Sequence, residues 1–212
     1  FFANAKAAEA YAATEYVQED GKTVVKAPLR PIDPTTVEPV ILMEGEDLNV
    51  TGGSQMRDAA YDYGQGFITL TAKGADPNYF LYRESIKIAP FMAIKYRTTI
   101  RNVKGEIHAG SVQNTPNGRS DRLVLDYITD GEWHVAVIDL RKIPDYNPDT
   151  DTVNYLRFDF LHSDSGLSGG AYLEVEYIGF FNTVDEATVY PHTLPEERAR
   201  HTITFVVNGI EL

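Results

Sequence analysis

Residues 133–140 read WHVAVIDL. On an extended strand successive side chains point to opposite faces, so Trp133, Val135 and Val137 share one side and His134, Ala136, Ile138 and Leu140 the other. Period-2 patterning of this kind marks a strand covering a core, with one face apolar and the other mixed. Trp133, at its start, is expected to pack into that core. The stretch FMAIKYR at 91–97 has the same texture. Working outward, short runs of β-branched and aromatic residues separated by Gly, Asn, Asp and Pro predict strands near 39–43, 66–73, 79–82, 91–100, 105–110, 122–128, 132–140, 153–160 and 171–180. No helical period separates them. The expected fold class is all-β, an antiparallel jelly-roll β-sandwich rather than a βαβ fold.

Beyond the last strand, Thr183-Val-Asp-Glu186 has the form of a capping box and predicts a short C-terminal helix to about Tyr190. At the other end, Ala-rich residues 4–16 behind Asn4 predict a separate N-terminal helix. A charged linker with prolines at 28, 31, 34 and 39 follows. Aligning Phe1 with Phe180 pairs Phe2 with Phe181, Ala8 with Ala187 and Tyr11 with Tyr190, and sets the caps Asn4 and Thr183 in one register. That agreement favours a repeat, with the N-terminal helix as the tail of a preceding copy. The terminal HTITFVVNGIEL reads as a strand without a hairpin partner, the first of a further domain. The expected division is 1–35 helix and linker, 36–190 sandwich, and 191–212 linker and following strand.

The 212 residues carry 31 acidic and 19 basic side chains, a net charge of -12. Such a surface repels phosphate backbones and anionic lipid, so nucleic acid is not an expected partner. There is no cysteine, which removes disulfides and thiolate metal sites. No apolar run approaches the ~20 residues of a membrane-spanning helix, so no membrane insertion is expected.

The phrases DGEWHVAVIDL (130–140), NYLRFDF (154–160) and YLEVEYIGFF (172–181) resemble the last three strands of carbohydrate-binding-module-like, galactose-binding-like jelly rolls. Such modules recur in secreted and cell-surface proteins of Gram-positive bacteria. LMEGEDLNVTGGS (42–54) is similar to their Glu-x-Glu opening, and FMAIKYRT (91–98) fits their central strand. The chain departs from that family in having Gly45 where Ala is common and Glu176 where Asp is usual. The resemblance implies a structural Ca2+ held by Glu44, Glu46 and Glu176; the alternative is three solvated surface glutamates. It also implies an extracellular, secreted or wall-attached module, monomeric within a larger chain, with a glycan as partner.

Sugar binding requires flat aromatic faces and planar polar groups. Loop residues Arg57, Tyr61, Tyr63, Tyr79, Tyr146 and His162 are the candidates. DYNPDTDT (145–152) spaces acids as an EF-hand loop begins, but Thr150 and Leu156 stand where Gly and Glu belong, so an Asx-rich turn is the preferred reading. G-x-S-x-G, H-E-x-x-H and phosphate-cradling Gly loops are all missing from the sequence. The expected function is therefore a non-catalytic carbohydrate-binding-like module, accessory to glycan binding or degradation. A structural or adhesive spacer repeat is the alternative, and a glycan-cleaving jelly roll, needing only two carboxylates, is a minor one.

Overall fold

In the computed structural model, residues 16–19, 22–25, 32–82, 86–111, 122–143, 146–163, 166–167, 169–192, 206–207 and 210–211 are described. Two antiparallel sheets form the body, as an all-β sandwich requires. After a short hairpin of β1 (Tyr16–Glu19) and β2 (Lys22–Val25), the strands are β3 (Ile41–Met43), β4 (Ile68–Thr71), β5 (Tyr79–Tyr82), β6 (Phe91–Arg97), β7 (Lys104–Ser111), β8 (Arg122–Asp126), β9 (His134–Asp139), β10 (Val153–His162) and β11 (Tyr172–Phe181). One sheet has the order β5-β10-β7-β8, and the other β3-β11-β6-β9 with β4 also on β11.

β11 organises the second sheet. Along one edge its residues Tyr172–Val175 pair with β4, and Ile178–Phe180 pair with β3; β6 runs along the other edge. The short edge strands leave a gap opposite Glu176 and Tyr177, where the register with β6 also shifts. An extra residue in a strand re-aims the side chains that follow it. Leu173 and Val175 face the core before the shift, Ile178 and Phe180 after it, and Glu176 and Tyr177 both turn away from it. The core between the sheets is built from Met92, Ile94 and Tyr96 of β6, Ile107 and Ala109 of β7, Leu156, Phe158 and Phe160 of β10, and these β11 residues. Phe158, Phe160 and Phe180 are wholly buried, each contributing about 1.5–3 kcal/mol by removing its ring from water.

A helix, α1 (Val184–Val189), seals part of the outer face of the second sheet. Thr183 Oγ1 accepts from Glu186 N at 3.1 Å, and Glu186 Oε2 accepts from Thr183 N at 3.0 Å, so the capping box forms as its sequence predicts. Ala187 packs with Val37, Phe91, Ala93, Tyr177 and Phe181 in a second apolar cluster. This explains why β6 is buried on both faces over its first half while Lys95 and Arg97 are only half-buried.

Several expectations change. Tyr16, the expected end of the N-terminal helix, begins β1, whose register with β2 sets Glu19 beside Lys22 around the sequence Asp20-Gly21, a dipeptide suited to two-residue hairpin loops. The remainder of that helix, and with it the N-terminal half of the repeat, lies outside the described residues. The terminal stretch has a partner within the chain: β12 (Val206–Val207) pairs antiparallel with β13 (Ile210–Glu211). Trp133 is half-buried and outside both apolar clusters. The even-numbered set Ala136, Ile138 and Leu140 faces the core, which turns Trp133 and Val135 outward. There Trp133 meets Phe67 at 5.5 Å between centroids, with the Arg97 guanidinium 4.7 Å and Lys95 Nζ 5.9 Å from its ring centre.

Candidate functional site

The gap between β3 and β4 gathers charge. Glu44 directly follows β3, Glu176 stands at the register shift of β11, and Lys95 reaches across from β6. His192, two residues past Tyr190, enters between the glutamates. Its Nδ1 lies 2.7 Å from Glu176 Oε1 and its Nε2 2.9 Å from Glu44 Oε2. Lys95 Nζ donates to the same Glu176 Oε1 at 2.8 Å. The ring stacks on Tyr177 at 4.4 Å, and its side chain is 2% exposed. Carboxylates only accept, so both contacts are satisfied together when each ring nitrogen carries a proton, as in imidazolium. Burial works to raise the Glu176 carboxyl, but hydrogen bonds from His192 and Lys95 outweigh it and hold the group below its ordinary value.

These residues bear on the expected Ca2+. Glu44 and Glu176 are brought together across His192, while Glu46 is exposed in the 3₁₀ turn Gly45–Leu48. Ca2+ takes six to eight oxygen donors. Here Glu176 Oε1 is bonded by both His192 and Lys95, and Glu44 Oε2 by His192, so two nitrogen donors stand between the carboxylates. His192 is absent from the candidate residues read from the sequence. Its signal was a lone histidine just beyond a capped helix, which no spacing rule connects to Glu44, 148 positions away.

Beside Glu44 the chain forms a cleft of about 290 Å³ lined by Glu44, Gly45, Glu46, Asp47 and Tyr63. Gly45 adopts φ +56°, and a Cβ there would lie 2.8 Å from the Tyr63 hydroxyl. Glycine thus permits both the turn and the approach of the ring. Tyr63 is 42% exposed and is held edge-on by Tyr61 at 5.2 Å. Tyr61 itself is buried, donating to Gly66 O at 2.6 Å while its backbone N–H is bound by Asn49 Oδ1 at 2.7 Å. The intervening turn is fixed by Asp62, which accepts from Gly64 N and from Gln65 Nε2; the Gln65 bonds hold its carboxyl below the usual range.

The other sugar-binding candidates do not converge there. Tyr79 is buried against Phe158 and Phe160, and Tyr146 is buried as well; the hydroxyl of each is enclosed without a hydrogen-bond partner. Both rings fill the core and offer no face to a ligand, and burial pushes both phenols well above their ordinary range. Arg57 is exposed on its own loop, with its backbone bound to Thr71. His162 ends β10, opposite Lys104 of β7. Asn147, Asp149, Thr150 and Asp151 bond among themselves as an Asx turn, as preferred from the sequence over an EF-hand-like loop.

No protein-family model matches the chain, and no curated protein matches it. Among solved structures, the chain is similar to the glycoside hydrolase domain of Endo-D from Streptococcus pneumoniae R6, at 12% identity and a TM-score of 0.44. The match covers 64% of this chain and 22% of that one.

Proposed function

We propose that the chain is a non-catalytic, jelly-roll carbohydrate-binding module of a larger extracellular protein, and that it holds its glycan in the cleft beside Tyr63. The observation that carries this reading is the exposed Tyr63 ring, which lines one surface depression together with Glu44, Glu46 and Asp47. A pyranose presents an apolar face to such a ring and its hydroxyls to such acceptors. Tyr61 and the tight approach at Gly45 preset the ring, so little ordering entropy is lost on binding. Glycan-array screening followed by calorimetry tests this: a hit should weaken about tenfold in Tyr63→Ala, in line with the ~1.4 kcal/mol that such a factor represents. Absence of binding to plant, host and bacterial glycans alike refutes it.

The second reading, a structural or adhesive spacer, is favoured by the packing of Tyr61, Tyr79 and Tyr146. It predicts that Tyr63→Ala changes no binding at all and that the chain's partner is a protein or cell-surface component.

A further inference from the structure

A separate ionisable cluster lies on the other sheet. Glu106 and His108 stand two apart on β7, as do Arg157 and Asp159 on β10; the register sets Asp159 beside Glu106 and Arg157 beside His108. Arg122 of β8 is opposite His108 on its other side. Ile107 and Phe158 point into the core, so alternation turns these five side chains to the sheet's outer face. Outer-face groups are ordinarily wet, yet Glu106 keeps 5%, His108 9% and Asp159 1% of their surface. His108 Nε2 is 3.5 Å from Glu106 Oε2 and 3.4 Å from Asp159 Oδ2. It is enclosed and makes no hydrogen bond. One donor atom from each of the three residues lies within 4.8 Å of the other two.

We propose that Glu106, His108 and Asp159 form a binding site for a divalent first-row transition ion such as Zn2+ or Co2+. Tetrahedral ligands at about 2.0–2.2 Å from zinc stand about 3.4 Å from one another, which is the spacing from His108 Nε2 to each carboxylate. Nε2 thus faces two carboxylates without a hydrogen bond to either. An ion among the three atoms satisfies all of them. Arg122 Nη1 donates to both Glu106 oxygens at 2.9 and 3.1 Å, and Arg157 Nε and Nη2 donate to the Asp159 oxygens at 2.6 Å each. These guanidiniums fix the ligating carboxylates from outside, as hydrogen-bonded outer shells do in metal sites. They also offset the negative charge, and together with the imidazole nitrogen they disfavour Ca2+ relative to borderline ions.

The test uses the full chain, stripped of metal and titrated with Co2+, with binding followed by visible absorption and by competition with Zn2+. One ion per chain is expected. His108→Ala should lower affinity by about 100-fold or more, Arg157→Ala by about 10–100-fold, and His134→Ala should leave it unchanged. Crystals of the wild-type protein soaked in Zn2+ should show an anomalous peak among the three side chains, which decides the matter even where a variant fails to fold. Lack of saturable binding, binding undiminished in a folded His108→Ala, or a peak elsewhere overturns the proposal.

Discussion

Replacing His192 with alanine removes a ring that is 2% exposed, a stacking contact on Tyr177 at 4.4 Å, and hydrogen bonds to Glu44 and Glu176 at 2.9 and 2.7 Å. Charge-assisted hydrogen bonds are worth about 1.5–3 kcal/mol each, and breaking a buried ion pair costs about 3–5 kcal/mol. Two features reduce the total here. Glu176 keeps Lys95 at 2.8 Å, and the Glu44 side chain is already 17% exposed to water. The expected loss is about 3 kcal/mol, or about 6–12 °C in Tm for a chain of this size. Urea unfolding followed by far-UV circular dichroism measures it directly, with the slope m unchanged. His192→Gln, whose amide can donate to one acid but not span both, should recover part of the loss. A double-mutant cycle with Glu44→Gln should return a coupling of about 1 kcal/mol or more. If His192→Ala unfolds within 0.5 kcal/mol of the wild type, the bridge contributes nothing and the argument fails.

Tyr79→Phe removes a buried hydroxyl that has no partner, so it should leave stability unchanged or raise it by up to about 1 kcal/mol, checked by the shift in urea midpoint. Gly45→Ala adds a Cβ 2.8 Å from the Tyr63 hydroxyl at φ +56°; thermal melting should show a loss of about 1–2 kcal/mol. Glu176 has a folded-state pKa depressed below its ordinary 4.5, so its stabilisation is present above about pH 4.5 and is lost as pH falls through the lower folded value. Stability against pH should accordingly fall more steeply for the wild type than for Glu176→Gln in that acid window, the two curves converging below it; parallel curves contradict the assignment.

Much of the sandwich was legible because its strands carry the period-2 signal at full strength. β6 is legible from alternation, β10 and β11 from runs of β-branched and aromatic residues bounded by turn residues, and the capping box at Thr183 specifies α1 from four residues. The sequence could not tell which face of WHVAVIDL turns inward. Both sets are substantially apolar, and the choice is made by β6, whose Met92 pairs with Ile138. That pairing fixes Ile138 and Leu140 inward and places Trp133 outside. The candidate site was legible only in its local part. Tyr61 and Tyr63 are two residues apart and meet, whereas Glu44 and Glu46, which line the same cleft as Tyr63, were read from the sequence only as ligands of a Ca2+. Tyr79 and Tyr146 looked like loop aromatics because they flank turns, yet tertiary packing buries both. His192 and the pairing of Glu106 and His108 with Asp159 depend on contacts between strands distant in sequence. Period-2 spacing, Glu-x-His on β7 and Arg-x-Asp on β10, was the one local trace of the latter.

The register shift at Glu176 links the fold to the charged gap more tightly than proximity would. If β11 ran without it, the parity that points Leu173 and Val175 into the core would send Tyr177 inward and both Ile178 and Phe180 outward. The shift corrects this by spending one residue. That residue, together with its neighbour Tyr177, must then turn away from the core at the one place where β11 has no edge strand beside it. A carboxylate there is tolerable because the gap between β3 and β4 admits partners from the side: Lys95 from β6 and His192 from beyond α1. The same gap is where the chain leaves toward the Gly45 turn and returns at Phe67, so the aromatic cleft at Tyr63 is anchored to the strand irregularity through Glu44. A change that restores regular pairing at 175–177 would therefore disturb the ion network and the cleft together, whereas one at Tyr63 would disturb the cleft alone.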